Sequence, residues 1–459
     1  MSLSTPVMWC SVVLLAALTG WAVPTIVAND GAGRLALILA IAVSVVCARV
    51  TFGSVFLSPV QIVVWTLLAL AILGPLAYAI VATVPGGAGV ELVMSPELVS
   101  KTLDLYLVCT ESVLVGSLLV AALVRVGSPT RVLPSSRAIR TAVATPFTLA
   151  ACVVPLVALV VANGPGLWQR AYYLNSQVAF DAVAALAAPL SVGALIILGH
   201  LWGSRYNRLV VALLTCLTAV ALFGTGSRLF AAIPAAFAAG NTAALSTRRS
   251  RVVLVLAAAA TFFLIRVPLL LRTMPSHGVL PYARDLPDII FHNTLHRGAT
   301  SLNLLISFAI SGETAFREPH FPLDDLWKSM NPLPGTVAGW YRIAPLHRLN
   351  INTPYAGIGE LGNCGWLVVV VVSVAIGAVL GRLDISSRRL LADGLVMPAL
   401  ALVGLSALFA FLFVQYNLRS SLRMLYYGLA LDVGILVWRA VRHGLDHRSR
   451  DRVRSAGVR

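Results

Sequence analysis

The feature that most limits what this chain can fold into is a series of apolar windows, each about 20 residues long, recurring from one end to the other. That is the length a helix needs to cross a hydrocarbon layer of roughly 30 Å. Inside such a layer a backbone amide finds no water, so its N–H and C=O must be satisfied within the same helix. Composition agrees, with 58% of the 459 residues hydrophobic, only 11% charged, and a mean hydropathy of +0.87. An all-α, polytopic transmembrane bundle is the expected fold class.

The first window begins close to Met1 without a basic leader or a small-residue cleavage motif, so it reads as a retained helix. Pro, Gly and Arg punctuation divides the apolar sequence into about twelve spans, at roughly 7–28, 35–52, 60–84, 103–125, 139–162, 178–200, 208–224, 229–245, 251–271, 356–381, 395–415 and 421–439. Gly298 to Gly312 is also apolar, yet short and studded with polar residues, and it reads as a re-entrant or interfacial helix rather than a further span.

A net charge of +16 would suggest nucleic acid for a soluble protein, but the arginines are distributed as a membrane protein distributes them. With the N-terminus inside, the cytoplasmic segments collect Arg49, Arg125, Arg131, Arg137, Arg140, Arg205, Arg208, Arg248, Arg249, Arg251, Arg382, Arg388 and Arg389. The tail adds Arg439, Arg442, Arg448, Arg450, Arg452, Arg454 and Arg459, making 20 of the 34 basic residues. The bias toward a positive inside selects N-in and C-in, and no nucleic-acid partner is expected. The six cysteines (Cys10, Cys47, Cys109, Cys152, Cys216 and Cys364) lie in or beside apolar windows without a C-x-x-C pair, which argues against disulfides and zinc knuckles.

The expected organisation is a bundle of nine spans over 1–272, an extracytoplasmic cap loop over 273–354, three more spans over 355–440 and a basic cytoplasmic tail over 441–459. The cap holds five of the eight histidines (His277, His292, His296, His320 and His347), and its scattered aromatic residues suit an ordered structure better than a tether.

Arginines on the outer face run against the charge bias and call for a reason. Guanidinium forks bind phosphate bidentately and stay charged near lipid, whereas headgroup anchoring is the plainer explanation for any one of them. Arg228 stands out because it closes Gly224-Thr225-Gly226-Ser227-Arg228 between two spans, where glycines can bring backbone N–H groups toward an anion. Arg170 lies in Gly-Leu-Trp-Gln-Arg-Ala-Tyr-Tyr. Its neighbours Tyr172 and Tyr173 suit either an interface anchor or stacking against a sugar ring. Arg317 and Arg348 from the cap, and Arg419 and Arg423 near the last outer loop, offer the same phosphate chemistry.

The segment NINTPYAGIGELGNCGW, residues 350–366, combines small residues for close helix packing with one carboxylate, Glu360, at the mouth of a span. A carboxylate near lipid is costly unless paired, so Glu360 reads as an Arg partner, a proton-transfer group or a helix cap. His320, near Asp324 and Asp325, and His347, beside Arg348, are further proton-transfer candidates or loop hydrogen-bonders. Asp288, His292 and His296 share a helical spacing but lack the Glu of H-E-x-x-H, so no metal is expected. Glu111 and Asp432 lie deep in spans, where pairing with an Arg or a hydroxyl is the common arrangement.

GTGSR between adjacent spans, a long outer loop reaching Asn-Pro-Leu-Pro-Gly at 331–335, and TPYAGIGELGNCGW leading into the tenth span together resemble the Wzy-type O-antigen and capsule repeat-unit polymerases of bacterial inner membranes. The related O-antigen ligases share much of this plan. The resemblance implies a multi-pass glycosyltransferase of the cytoplasmic membrane that works without metal or cofactor. It would move a growing glycan from undecaprenyl pyrophosphate onto a lipid-linked repeat unit, with a chain-length regulator and a flippase as further partners. By position, Arg228 and Arg170 would hold pyrophosphate, with help from Arg317, Arg348 or Arg423, and Glu360 or a loop histidine would take the proton. The alternatives are a ligase, a polyprenyl-phosphate-sugar-dependent glycosyltransferase, for which the short outer loop Asn29-Asp30-Gly31 offers little acidity, and a polysaccharide flippase or transporter.

Overall fold

The computed structural model describes residues 5–27, 31–52, 58–83, 94–124, 146–172, 181–203, 207–245, 248–264, 266–271, 274–288, 303–350, 353–393 and 395–456. The protein is an all-α bundle of multi-pass membrane type. Its early helices are α1 (Thr5–Val27), α2 (Gly31–Phe52), α3 (Pro59–Thr83), α4 (Pro96–Leu123) and α5 (Pro146–Asn163). Next come α6 (Asp181–Gly203), α7 (Arg208–Gly224), α8 (Ile233–Leu245), α9 (Arg248–Leu264) and α10 (Arg266–Leu271). Shorter pieces follow: α11 (Val279–Asp288), α12 (Asn303–Ala315), α13 (Leu323–Met330), α14 (Trp340–Ile343) and an antiparallel strand pair, β1 (Arg348–Asn350) with β2 (Thr353–Pro354). The chain ends with α15 (Gly357–Asn363), α16 (Trp366–Ala392), α17 (Val396–Gln415) and α18 (Leu418–Ala456).

Eight described helices are long and apolar enough to cross a membrane, and they fall in the first five and last three expected windows. Four shorter apolar helices, within 187–203, 208–224, 229–242 and 252–261, occupy the windows between. Prolines lie inside several of these helices, including Pro75, Pro155 and Pro189, which neighbouring helices in a bundle make tolerable.

Helix α4 is the axis of the bundle, buried along most of its length. It opens on Ser95, whose hydroxyl accepts the Leu98 N–H at 3.1 Å, with Pro96 in the first turn. Glycines bring it against α16. A Cβ on Gly116 would stand 2.0 Å from the Val374 carbonyl oxygen, and one on Gly377 2.1 Å from that of Val113. Association inside lipid gains nothing from excluding water, so such backbone-to-backbone approach is what holds two helices together.

Several buried charges are matched. Arg34 forks onto Asp104 at 2.6 and 2.8 Å, and Ser44 donates to Glu111 at 2.8 Å. Arg382 meets Asp432 at 3.0 Å, so both deep carboxylates have the arginine or hydroxyl partner expected of them. Asp384 accepts from Ser58 and, at 2.5 Å, from Arg388.

That last group explains a departure from expectation. The tenth window was expected to cover 356–381, followed by a basic segment. Instead, Gly365, at φ +101, breaks the chain between α15 and α16, and α16 then continues as helix to Ala392. With Asp384 paired and tied to the start of α3, the Arg-Leu-Asp-Ile-Ser-Ser-Arg-Arg stretch extends the helix rather than ending it. The short helix expected near Gly298–Gly312 is α12. Its 13 residues make about 20 Å of helix, too little to span, and it lodges against α3, α4, α15 and α17. Phe308 stacks on Tyr106, whose hydroxyl meets Ser311 at 2.9 Å, and Gln415 donates to Ser307.

Candidate functional site

Two groups of the singled-out residues come together, and they differ in character. The first is built on α15. Gly357 donates its N–H to the Tyr416 carbonyl at 2.8 Å, and a Cβ there would stand 3.1 Å from Leu418 Cα and from the Phe413 ring. Gly359 lies closer still on α12, where a Cβ would stand 2.6 Å from Thr314 Cβ and 2.7 Å from the Ser311 carbonyl oxygen. These glycines wedge a two-turn helix between α12 and the α17–α18 turn, and that wedge carries Glu360 inward.

The strand pair returns the chain so that Tyr355 donates its N–H to the His347 carbonyl at 3.3 Å, which sets the histidine over the same spot. His347 Nδ1 stands 3.7 Å from Glu360 Oε1, with both side chains only 2% exposed. The imidazole is stacked on Phe321 at a centroid distance of 4.5 Å and meets the edge of Trp340 at 5.4 Å. At 3.7 Å the contact is electrostatic and longer than a hydrogen bond. Among the described residues, no group lies in normal hydrogen-bond geometry to either imidazole nitrogen, either Glu360 oxygen or the nearby buried Ser329 hydroxyl.

Burial pushes the Glu360 carboxyl above the usual carboxylate range. The imidazole of His347, the Leu418 N–H and the Ser329 hydroxyl oppose that shift without overcoming it. A buried carboxyl and imidazole with free lone pairs form a pair that can hold or release one proton, which is the equipment of a general base. The sequence offered both residues as candidates, and the fold brings them to each other.

Asn363, one turn beyond Glu360, fixes the neighbouring loop. Its amide donates to the carbonyls of Thr314 at 3.1 Å and Arg317 at 2.7 Å and accepts the Phe321 N–H at 2.6 Å. This places exposed Arg317 with its guanidinium carbon 5.9 Å from the Tyr355 ring, which itself leans on Phe321 and His347. Burial raises the Tyr355 hydroxyl, and the charge of Arg317 works against it. His320 lies exposed on the same loop, next in the chain to Phe321, while Asp324 and Asp325 are engaged by Lys328 at 2.5 and 3.1 Å. Arg348 is exposed on β1, and Arg423 is half-buried one turn past Arg419.

Arg419 is not the outward cation that its position suggested. It is 2% exposed, lies over Trp340 at 5.6 Å, and donates to the carbonyls of Lys328 at 2.6 Å, Asn331 at 3.0 Å and Leu333. The guanidinium holds the 328–333 segment to the start of α18, and its Nη donors are used on that segment. Asn363, Ser329 and the Arg419 clamp escaped the sequence reading. Only the placement of Asn363 beside Glu360 could have pointed to one of them.

The second group surrounds GTGSR. Arg170 Nη1 donates to the carbonyls of Gly166 and Gly224, both at 2.9 Å, and Nη2 to that of Thr225 at 3.2 Å, so the cation caps the C-terminal end of α7. Its backbone pairs with His277, whose ring meets the Tyr282 hydroxyl at 2.9 Å. Burial and then the charge of Arg170 hold the His277 imidazole below its ordinary pKa.

The turn itself was expected to offer N–H groups to an anion. Instead, Gly226, at φ +65, donates to Phe223, Thr225 to Ala221, Phe230 to the Ser227 carbonyl, and Leu229 to the Ser227 hydroxyl. Those donors are used within the turn. Arg228 opens a short 3-10 helix, Arg228–Ala232, and its side chain lies outside the described residues. Tyr172 is exposed, whereas Tyr173, His292 and His296 lie outside the described residues.

The chain matches no protein-family model, no curated protein and no solved structure.

Proposed function

We propose that this chain is a glycosyltransferase of the outer face of the cytoplasmic membrane, with twelve spans and both termini inside. It polymerises a polysaccharide by moving a growing glycan from undecaprenyl pyrophosphate onto a lipid-linked repeat unit. The observation that carries this reading is the buried Glu360–His347 pair, whose polar atoms have no normal hydrogen bond among the described residues and which sits where the bundle meets a loop bearing exposed Arg317.

The reaction needs two things of the protein. A base must take the proton from the acceptor sugar hydroxyl as its oxygen bonds to the anomeric carbon, and cations must stabilise the lipid pyrophosphate that departs when the old C–O bond breaks. Glu360 with His347 meets the first need. Arg317, Arg348, Arg423 and Arg228 are the cations assigned to the second, and Arg170 supports the turn that carries Arg228.

In a strain carrying the matching glycan cluster, Glu360→Gln and His347→Ala should each abolish long-chain polymer while single lipid-linked units accumulate and the variant protein stays in the membrane. Single units passed to an acceptor, with no polymer even from the native chain, would favour a ligase. Normal chain length in both variants would remove the pair from the chemistry.

A further inference from the structure

The segment from α13 to β1 carries a set of large apolar side chains that the described residues leave exposed. Helix α13 turns Leu326 and Ser329 inward and leaves Leu323 and Trp327, one turn apart, outward. Leu333, Val337, Tyr341 and Leu346 continue the exposed set, with Trp327 at 63%, Val337 at 69% and Tyr341 at 66% exposure.

Depth identifies what this surface meets. The span of α18 covers Leu418–Val441, whose 24 residues make about 36 Å of helix against a hydrocarbon layer of roughly 30 Å, so its first turn lies at the layer boundary. Arg419, in that first turn, holds the carbonyls of residues 328, 331 and 333. Tyr426, two turns further along, donates its hydroxyl to the Met330 carbonyl. The segment is therefore tied to the outermost turns of the α18 span, from the boundary where acyl chains give way to headgroups to about 10 Å further in.

We infer that the 323–346 segment is a membrane-interface flap, with Leu323, Trp327, Val337 and Tyr341 seated among the lipids of the bilayer that the spans cross. Indole and phenol rings favour that depth, where one edge is apolar and the other wet. Exposed Arg342 and Arg348 flank the surface and complement lipid phosphates. The flap also supplies Trp340 and Ser329 to the surroundings of His347 and Glu360, so lipid contact and the shape of that site are linked through one piece of chain.

The test uses the full chain in lipid nanodiscs, comparing native protein with Trp327→Phe, a change at an exposed position that leaves the fold intact. The difference between their emission spectra isolates Trp327. Lipids brominated near the headgroup end of the acyl chain should remove most of that difference emission, while aqueous iodide should leave it largely unchanged. Emission quenched by iodide but indifferent to bromine would overturn the inference and point to a water-facing surface for glycan. Indifference to both quenchers would overturn it in favour of a protein contact such as a second copy of this chain.

Discussion

His347 Nδ1 faces Glu360 Oε1 across 3.7 Å with both side chains 2% exposed, and among the described residues no group makes a normal hydrogen bond to either. Leaving polar atoms unbonded in the interior costs about 1–3 kcal/mol for each group, so a fold that keeps two of them side by side gives up stability at this point. A substrate hydroxyl that supplies the missing hydrogen bond would recover that cost.

The raised carboxyl of Glu360 gives the pair a pH signature. Because burial favours the protonated form, the native state binds more protons than the unfolded chain once pH exceeds the ordinary carboxylate value. Stability therefore falls as pH rises from there through the folded-state pKa and levels off above it. In detergent, melting temperature followed across acid to neutral pH should decline in the native protein over that window and stay flatter in Glu360→Gln, which should also melt higher at neutral pH. Parallel curves for the two proteins would contradict the assigned cause.

Arg419 clamps the flap through its fork, and a lysine offers only a single ammonium. Arg419→Lys should lose stability by about 1–3 kcal/mol as carbonyls are left unpaired, and limited proteolysis should then cut within 328–343, where the native chain resists. An unchanged cleavage pattern would mean the clamp is dispensable.

Gly116 and Gly377 set the spacing of α4 and α16. Gly116→Ala pushes a methyl into a carbonyl oxygen, and because backbone cannot retreat as a flexible side chain can, the cost should be about 1–3 kcal/mol, visible as a lower melting temperature. An equally stable variant would show that the helices can separate freely.

Much of the bundle was legible because lipid imposes one rule on every residue. Helix length and apolar content follow from it, and the eight long and four shorter apolar helices among the described residues overlap the expected windows. What escaped depended on pairings far apart in sequence. Asp384 looked like part of a polar loop until Ser58, 326 positions away, paired with it and let α16 run on. Glu360 was legible as a carboxylate at the mouth of a span, but its approach to His347 depends on the aromatic floor of Phe321 and the β1–β2 return, neither of which leaves a pattern in the sequence. Arg419 and Arg423 looked alike one turn apart, and only burial under Trp340 makes one a clamp.

The most direct measurement is elongation by purified protein in vesicles supplied with lipid-pyrophosphate-linked repeat units, comparing the native chain with Glu360→Gln. The native chain should produce a ladder of lengthening glycans. The variant should still bind the lipid-linked unit while its transfer rate falls by about a hundredfold or more, as expected when a general base is removed. A variant that builds the ladder at the native rate would contradict the assignment of Glu360 and His347 to the chemistry.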